Sequence, residues 1–242
     1  ASTSGRLVDF DKARQKSACF VVADYKGILM LNMLLLLSFF ISGSSALMYQ
    51  VSWQRALYAL IGVDMDSITI IVSVFMLGIG LGGMLGGWLS DRYPRQRLRW
   101  YAGIELSIAL YGAASLWLLQ GLQAWLEGSF VGTGSVGSTV ASFVFLLLPT
   151  VLMGMTLPLL TMAFNERTAN IGVSVGTLYF INTLGAATGA ALVPFVLLPL
   201  WTLPQVVHIA VAGNVAVVLC AVLAALLLPR AGGNLNTTGV AA

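Results

Sequence analysis

Charge is what this chain has least of. Only 9% of its 242 residues are Asp, Glu, Lys or Arg, while 58% are hydrophobic and the mean hydropathy is +0.92. A soluble domain carries roughly 25% charged residues, so this chain lacks the polar surface to face water on all sides. The bilayer is its solvent. Net charge is +3, but the basic residues are clustered and no aromatic–basic interleaving accompanies them, which argues against binding nucleic acid. There are one histidine and two cysteines. His208 has no second His or acid at metal-ligand spacing, so no metal site is expected. Cys19 precedes the first apolar segment and Cys220 lies within the last, at different depths, which argues against a disulfide. Lys16-Ser17-Ala18 ahead of Cys19 is not a lipidation signal, and no cleavable signal peptide is visible. Walker lysine, HExxH and GxSxG motifs are missing. Gly132 to Gly137 matches GxGxxG, but it lies in a loop without a preceding strand, and no nucleotide site is expected there. No catalytic constellation stands out, and neither an enzyme activity nor a cofactor is expected.

The stretch from Phe75 to Trp100 organises what is there. Its first half is apolar with glycines at Gly78, Gly82 and Gly86 and a second row at Gly83 and Gly87; its second half turns abruptly to Asp91, Arg92, Arg95, Arg97 and Arg99. A glycine-faced apolar helix ending in an arginine-rich hairpin reads as a membrane helix reaching the cytoplasmic face. Six apolar segments in all are each near the ~20 residues needed to cross a bilayer: 29–50, 67–89, 100–121, 140–163, 172–198 and 206–228. The expected organisation is an interfacial or flexible N-terminal arm over 1–28, one all-α polytopic domain over 29–228, and a short Gly/Asn/Thr-rich tail over 229–242. Of the 12 Lys and Arg residues, Arg55 alone falls on the opposite side from the others when connections are taken alternately. Positive-inside then places both termini in the cytoplasm.

Polar groups within the segments are few. Glu105 is the one clearly intramembrane acid. About five residues into its segment, it lies roughly 8 Å deep at 1.5 Å per residue, near enough to pair with Arg97 or Arg99. A structural ion pair and a substrate or proton site are both open. Ser42, Ser44 and Ser45 stand in the first segment, Thr150 and Thr156 in the fourth, and Tyr179, Asn182 and Thr183 in the fifth. Asn182 is costly to leave unpaired in lipid, so it is expected to face a partner helix or a cavity. Gly185 and Gly189 repeat in the fifth segment the small-residue device of the second, either for tight packing or for sliding during a conformational cycle. Pro149, Gly154 and Pro158 are expected to bend or break the fourth segment, and Pro194, Pro199 and Pro204 to end the fifth and set the last turn.

Two resemblances follow from these residues. Gly87-Trp88-Leu89-Ser90-Asp91-Arg92-Tyr93-Pro94-Arg95 resembles the cytoplasmic hairpin signature of the major facilitator superfamily, with Pro94 where that family prefers glycine. The resemblance implies that Asp91 and Arg95, with Arg92 between them, latch a cytoplasmic gate. The chain more closely resembles the membrane domain of bacterial fused major-facilitator-like/spermidine synthase-like proteins. The matching pieces are Tyr49 to Arg55, including Trp53 (with Gln50 where the family has Glu), Phe75 to Arg92, Tyr101 to Tyr111, Pro149 to Pro158 and Gly176 to Ala186. That resemblance implies six helices amounting to half of a facilitator fold, set in the bacterial inner membrane and linked to polyamines. In the fused proteins a soluble aminopropyltransferase domain follows the helices. No glycine-rich nucleoside-binding strand–turn–helix is found here, so aminopropyl transfer is not carried over, and a separate soluble enzyme is one expected partner. Three readings remain: a transporter-like module, alone or as a homodimer; a scaffold or accessory subunit beside other membrane protein subunits; and, last, a membrane-embedded enzyme, for which no acid–base pair or metal set is available.

Overall fold

In the computed structural model the chain is described over residues 3–61, 65–128, 136–168 and 170–227; side chains are described from residue 29, except at 59–61, 65–67, 70, 125–128, 136, 138–139, 167 and 227. The side chains of the 1–28 arm, residues 132–135 of the GxGxxG match and the 228–242 tail lie outside them. Every regular element among the described residues is helical: α1 (Thr3–Ile61), α2 (Met65–Arg92), α3 (Arg97–Gly128), α4 (Val136–Thr168), α5 (Ile171–Leu192) and α6 (Leu203–Leu227). Six spans within them, Leu29–Tyr58, Ile71–Arg92, Pro94–Ala124, Val140–Glu166, Ile171–Leu200 and Leu203–Leu226, are long and apolar enough to cross a membrane.

The prolines do less damage than expected. Pro149 and Pro158 both sit inside an unbroken α4. A proline removes the donor for the carbonyl four residues before it, and for Pro149 that carbonyl, on Phe145, instead accepts the Tyr111 hydroxyl of α3 at 2.5 Å. A neighbouring helix supplies the missing donor, so the span stays whole. Pro194 does not end the fifth span either. It is absorbed by a π-helical turn, Val193–Leu197, with a further turn at Leu198–Leu200 before Trp201 goes extended. Beyond Tyr93, a 3₁₀ turn at Pro94–Gln96 leads into α3. Arg97 closes the corner by donating from Nε to the Ser90 carbonyl at 3.1 Å and from Nη1 to Glu166, at the end of α4, at 2.6 Å.

Helix pairing follows a rule. α2 packs chiefly on α4, α1 on α5 and α6, and α3 on α4 and α6. Advancing each helix by three places around the set leaves those pairings unchanged. The backbone contacts repeat as well. A methyl on Gly82 of α2 would overlap the Val151 carbonyl of α4, and one on Gly86 would overlap that of Met155; a methyl on Gly185 of α5 would overlap the Phe40 carbonyl of α1, and one on Gly189 that of Ser44. In return Gly154 of α4 lies against the Ile79 carbonyl, and Gly43 of α1 against that of Asn182. Phe40, Gly43 and Ser44 therefore stand in α1 as Val151, Gly154 and Met155 stand in α4, at one constant offset. Ile79, Gly82 and Gly86 correspond in the same way to Asn182, Gly185 and Gly189. The chain holds two three-helix halves of like build. Because each half has an odd number of spans, the second crosses a bilayer in the opposite sense to the first.

The core splits along the bundle. One apolar cluster gathers Tyr49, Trp53, Leu57, Ile71, Phe75 and Phe145, with Tyr49 stacked on Trp53 at 4.9 Å between ring centroids. Another, at the hairpin end, gathers Leu35, Phe39, Leu98, Tyr101, Leu160 and Phe164. Between these clusters lies a polar layer, and the candidate site is built there.

Candidate functional site

Glu105 is fully buried, and no cation reaches it among the described residues. Of the two openings left for Glu105, the ion pair with Arg97 or Arg99 is not formed: Arg97 pairs with Glu166 instead, and Arg99 is exposed. Eight residues of helix, roughly 12 Å of rise, separate Arg97 from Glu105, and the carboxyl turns into the bundle instead of back along it. Two neutral donors meet it. Ser42 of α1 donates from Oγ to Oε1 at 2.5 Å, and Asn214 of α6 donates from Nδ2 to Oε2 at 2.6 Å. Three spans thus converge on one carboxyl, and each carboxyl oxygen meets a donor at short distance. A buried acid without such donors would be very costly. One helical turn before Glu105, the Tyr101 hydroxyl is also buried, beside Glu105, Ser38 and Ser42. Among the described residues, the Tyr49 hydroxyl and the Asn214 Oδ1 are buried without a hydrogen-bond partner.

A cavity of about 370 Å³ adjoins this layer, bordered by Ser42 and Asn214. It straddles the two halves. Gly43 and Gly154, Ala46 and Leu157, Ile79 and Asn182, and Gly83 and Ala186 all line it, and each couple is related by the offsets seen in the helix contacts. The axis relating the halves therefore runs through the cavity. Gln50, Thr156, Tyr179 and Thr183 add polar groups to its wall. Thr156 directs its proton to the Met153 carbonyl at 2.7 Å. Thr150 stands off the cavity, beneath Gly78, and donates to the Leu146 carbonyl at 2.8 Å.

The remaining singled-out residues scatter. Asp91, Arg92 and Arg95 are exposed at the hairpin, where the Arg92 guanidinium lies 5.8 Å from the Tyr93 ring centre. Among the described residues no ion pair links Asp91 to Arg95; the charged contact across this corner belongs to Arg97 and Glu166. At the other end of α1, Tyr49 and Trp53 are buried, the Trp53 indole donating to Ser115 Oγ at 3.0 Å, while Arg55 is exposed. Gly78, Gly82, Gly86, Gly185 and Gly189 all lie at helix contacts, whereas a methyl on Gly80, Gly83 or Gly87 would meet no neighbouring atom of the described residues within 4 Å. His208 is exposed, and the Cys220 thiol is free. Sequence reasoning missed Asn214, which belongs to the most apolar span and pairs across 109 residues. It also missed the full duplication. Leu81-Gly82 with Gly86, set beside Leu184-Gly185 with Gly189, was the signal that could have revealed it.

No protein-family model matches the chain, and no solved structure matches it. Two curated proteins of Streptomyces coelicolor are similar to it. Polyamine aminopropyltransferase 2 is 28% identical over 167 residues, covering 69% of this chain and 29% of that protein. Polyamine aminopropyltransferase 1 is 27% identical over 210 residues, covering 86% of this chain and 37% of that protein. The chain spans about a third of the length of these relatives. A match of 210 residues cannot avoid the second to fifth spans, so the similarity falls on helices that build the cavity. The expectation that the chain stands apart from enzymes is corrected by these names, since both relatives are named as aminopropyltransferases. The similarity falls on the helices from which the resemblance to spermidine synthase-like proteins was read, stretches in which no catalytic motif stands.

Proposed function

We propose that this chain is the membrane part of a polyamine aminopropyltransferase-like protein, a transporter-like module that admits a polyamine into the bundle from one face of the bacterial inner membrane and releases it at the other. One observation carries the reading: the cavity lies on the axis relating two inverted halves and is lined by equivalent residues from both. In transporters built this way the substrate site sits at the repeat interface, and rocking of one half against the other exposes it alternately to each side. The glycine contacts support such motion, because helices meeting backbone to backbone shift without repacking long side chains. Kinship to polyamine aminopropyltransferases supplies the substrate class. Both termini lie on the cytoplasmic side in this reading, with the arginine hairpin.

Uptake of a radiolabelled polyamine into liposomes carrying the purified chain tests the proposal. Saturable uptake above that of protein-free liposomes is expected. Gly82→Leu, which wedges α2 from α4 beside the cavity, is expected to reduce it at least tenfold. Uptake no faster than in empty liposomes overturns the carrier reading.

A further inference from the structure

The geometry points to the Ser42–Asn214 wall of the cavity as a recognition site for a primary ammonium group, with Glu105 supplying the opposite charge from one layer behind. The choice of an alkylamine as ligand rests on the polyamine reading above; the polarity of the site does not. Ser42 has one proton and gives it to Glu105 Oε1 at 2.5 Å. Asn214 gives an Nδ2 proton to Oε2 at 2.6 Å. What Ser42 keeps on the cavity wall is acceptor capacity, the remaining lone pairs of its oxygen; Asn214 lines the same wall, with its Oδ1 buried just behind it and without a hydrogen-bond partner among the described residues. Asn214 is only 2% exposed, so its carbonyl oxygen has no bulk water to satisfy it.

The α4 wall has the same bias. Thr156 commits its proton to the Met153 carbonyl, and Pro158, which also lines the cavity, has no N–H to give the Gly154 carbonyl. Ser42 on α1 and Thr156 on α4 thus each offer the cavity an acceptor, their protons being committed elsewhere. A primary ammonium carries three donors and no acceptor, the complement of such a wall. Leu47, Phe75, Ile79 and Leu157 supply an apolar lining for a polymethylene chain. A volume of about 370 Å³ falls within the roughly 300–1,000 Å³ of small-molecule sites.

Calorimetric titration of the full chain in detergent with 1,4-diaminobutane, 1,4-butanediol and the bis(trimethylammonium) analogue of the diamine tests this site. The diamine is expected to bind, and the two analogues at least tenfold more weakly, one lacking charge and the other lacking N–H donors. Glu105→Gln and Asn214→Leu are each expected to weaken diamine binding tenfold or more. Those positions are buried, so Leu47→Trp serves as the second variant: it fills the cavity from α1 without touching the Ser42–Glu105–Asn214 set. It is expected to abolish binding while the protein still elutes as a single species with an unchanged melting temperature. Absence of diamine binding, equal affinity for diamine and diol, or binding indifferent to Leu47→Trp overturns the site. Diamine binding without liposome uptake leaves the site standing and removes only the carrier; uptake indifferent to Leu47→Trp removes only the site.

Discussion

Tyr111 and Pro149 show how one residue's defect becomes another's contact. The Phe145 carbonyl is deprived of its helical donor by Pro149 and receives the Tyr111 hydroxyl in exchange. Removing that hydroxyl strands a buried carbonyl, a loss of about 1–3 kcal/mol. Tyr111→Phe is therefore expected to lower the thermal midpoint in detergent. In a Pro149→Ala background, where the backbone N–H returns, the same change is expected to cost much less. Additive losses in the double variant would break this link. Asn214 and Ser42 act on the same principle at Glu105: each is an ordinary polar residue whose meaning comes from the acceptor it meets, 109 and 63 residues away in sequence.

At the scale of elements, the two glycine-bearing helices are interchangeable in role. Gly82 and Gly185 each lie against a carbonyl of a parallel neighbour, Val151 and Phe40 respectively. Alanine at either position is expected to destabilise by a similar amount, about 1–3 kcal/mol for forcing a methyl into a closed contact. Gly80→Ala and Gly87→Ala, which meet nothing, are expected to be neutral or to stabilise by roughly 0.5–1 kcal/mol through the helix preference of alanine. Thermal unfolding of the four variants checks both halves of the statement. The spans were legible in the sequence because hydropathy over twenty residues needs no knowledge of neighbours, and the arginine hairpin was legible because charge cannot enter lipid. Proline positions misled for the converse reason: whether Pro149 or Pro194 breaks a helix depends on what lies beside it, here the Tyr111 hydroxyl and a π turn that reorders the carbonyls. Glu105 misled in the same way. Counting residues from Trp100 placed it shallowly, but the donors on α1 and α6 turned it inward.

At the scale of the whole molecule, the distribution of Lys and Arg sets the expected orientation. In a background where Cys19 and Cys220 are serine, Arg95→Cys is expected to react with a membrane-impermeant maleimide only from the cytoplasmic face, and Arg55→Cys only from the outside. Labelling of intact cells against inverted vesicles reads this out, and the reverse pattern would invert the topology.

The interlocking of the two halves has a consequence for how the protein is made. Helices are synthesised in order, and the surface that receives α2 lies on α4, while the surface that receives α1 lies on α5 and α6. Until the second half is present, the glycine row of α2 and the serine row of α1 lack the helices they pack against, and Glu105 lacks Asn214. Assembly must therefore wait for the second half. The first half is a mould whose casting arrives last, and the acid at its centre is closed over only when α6 packs against it.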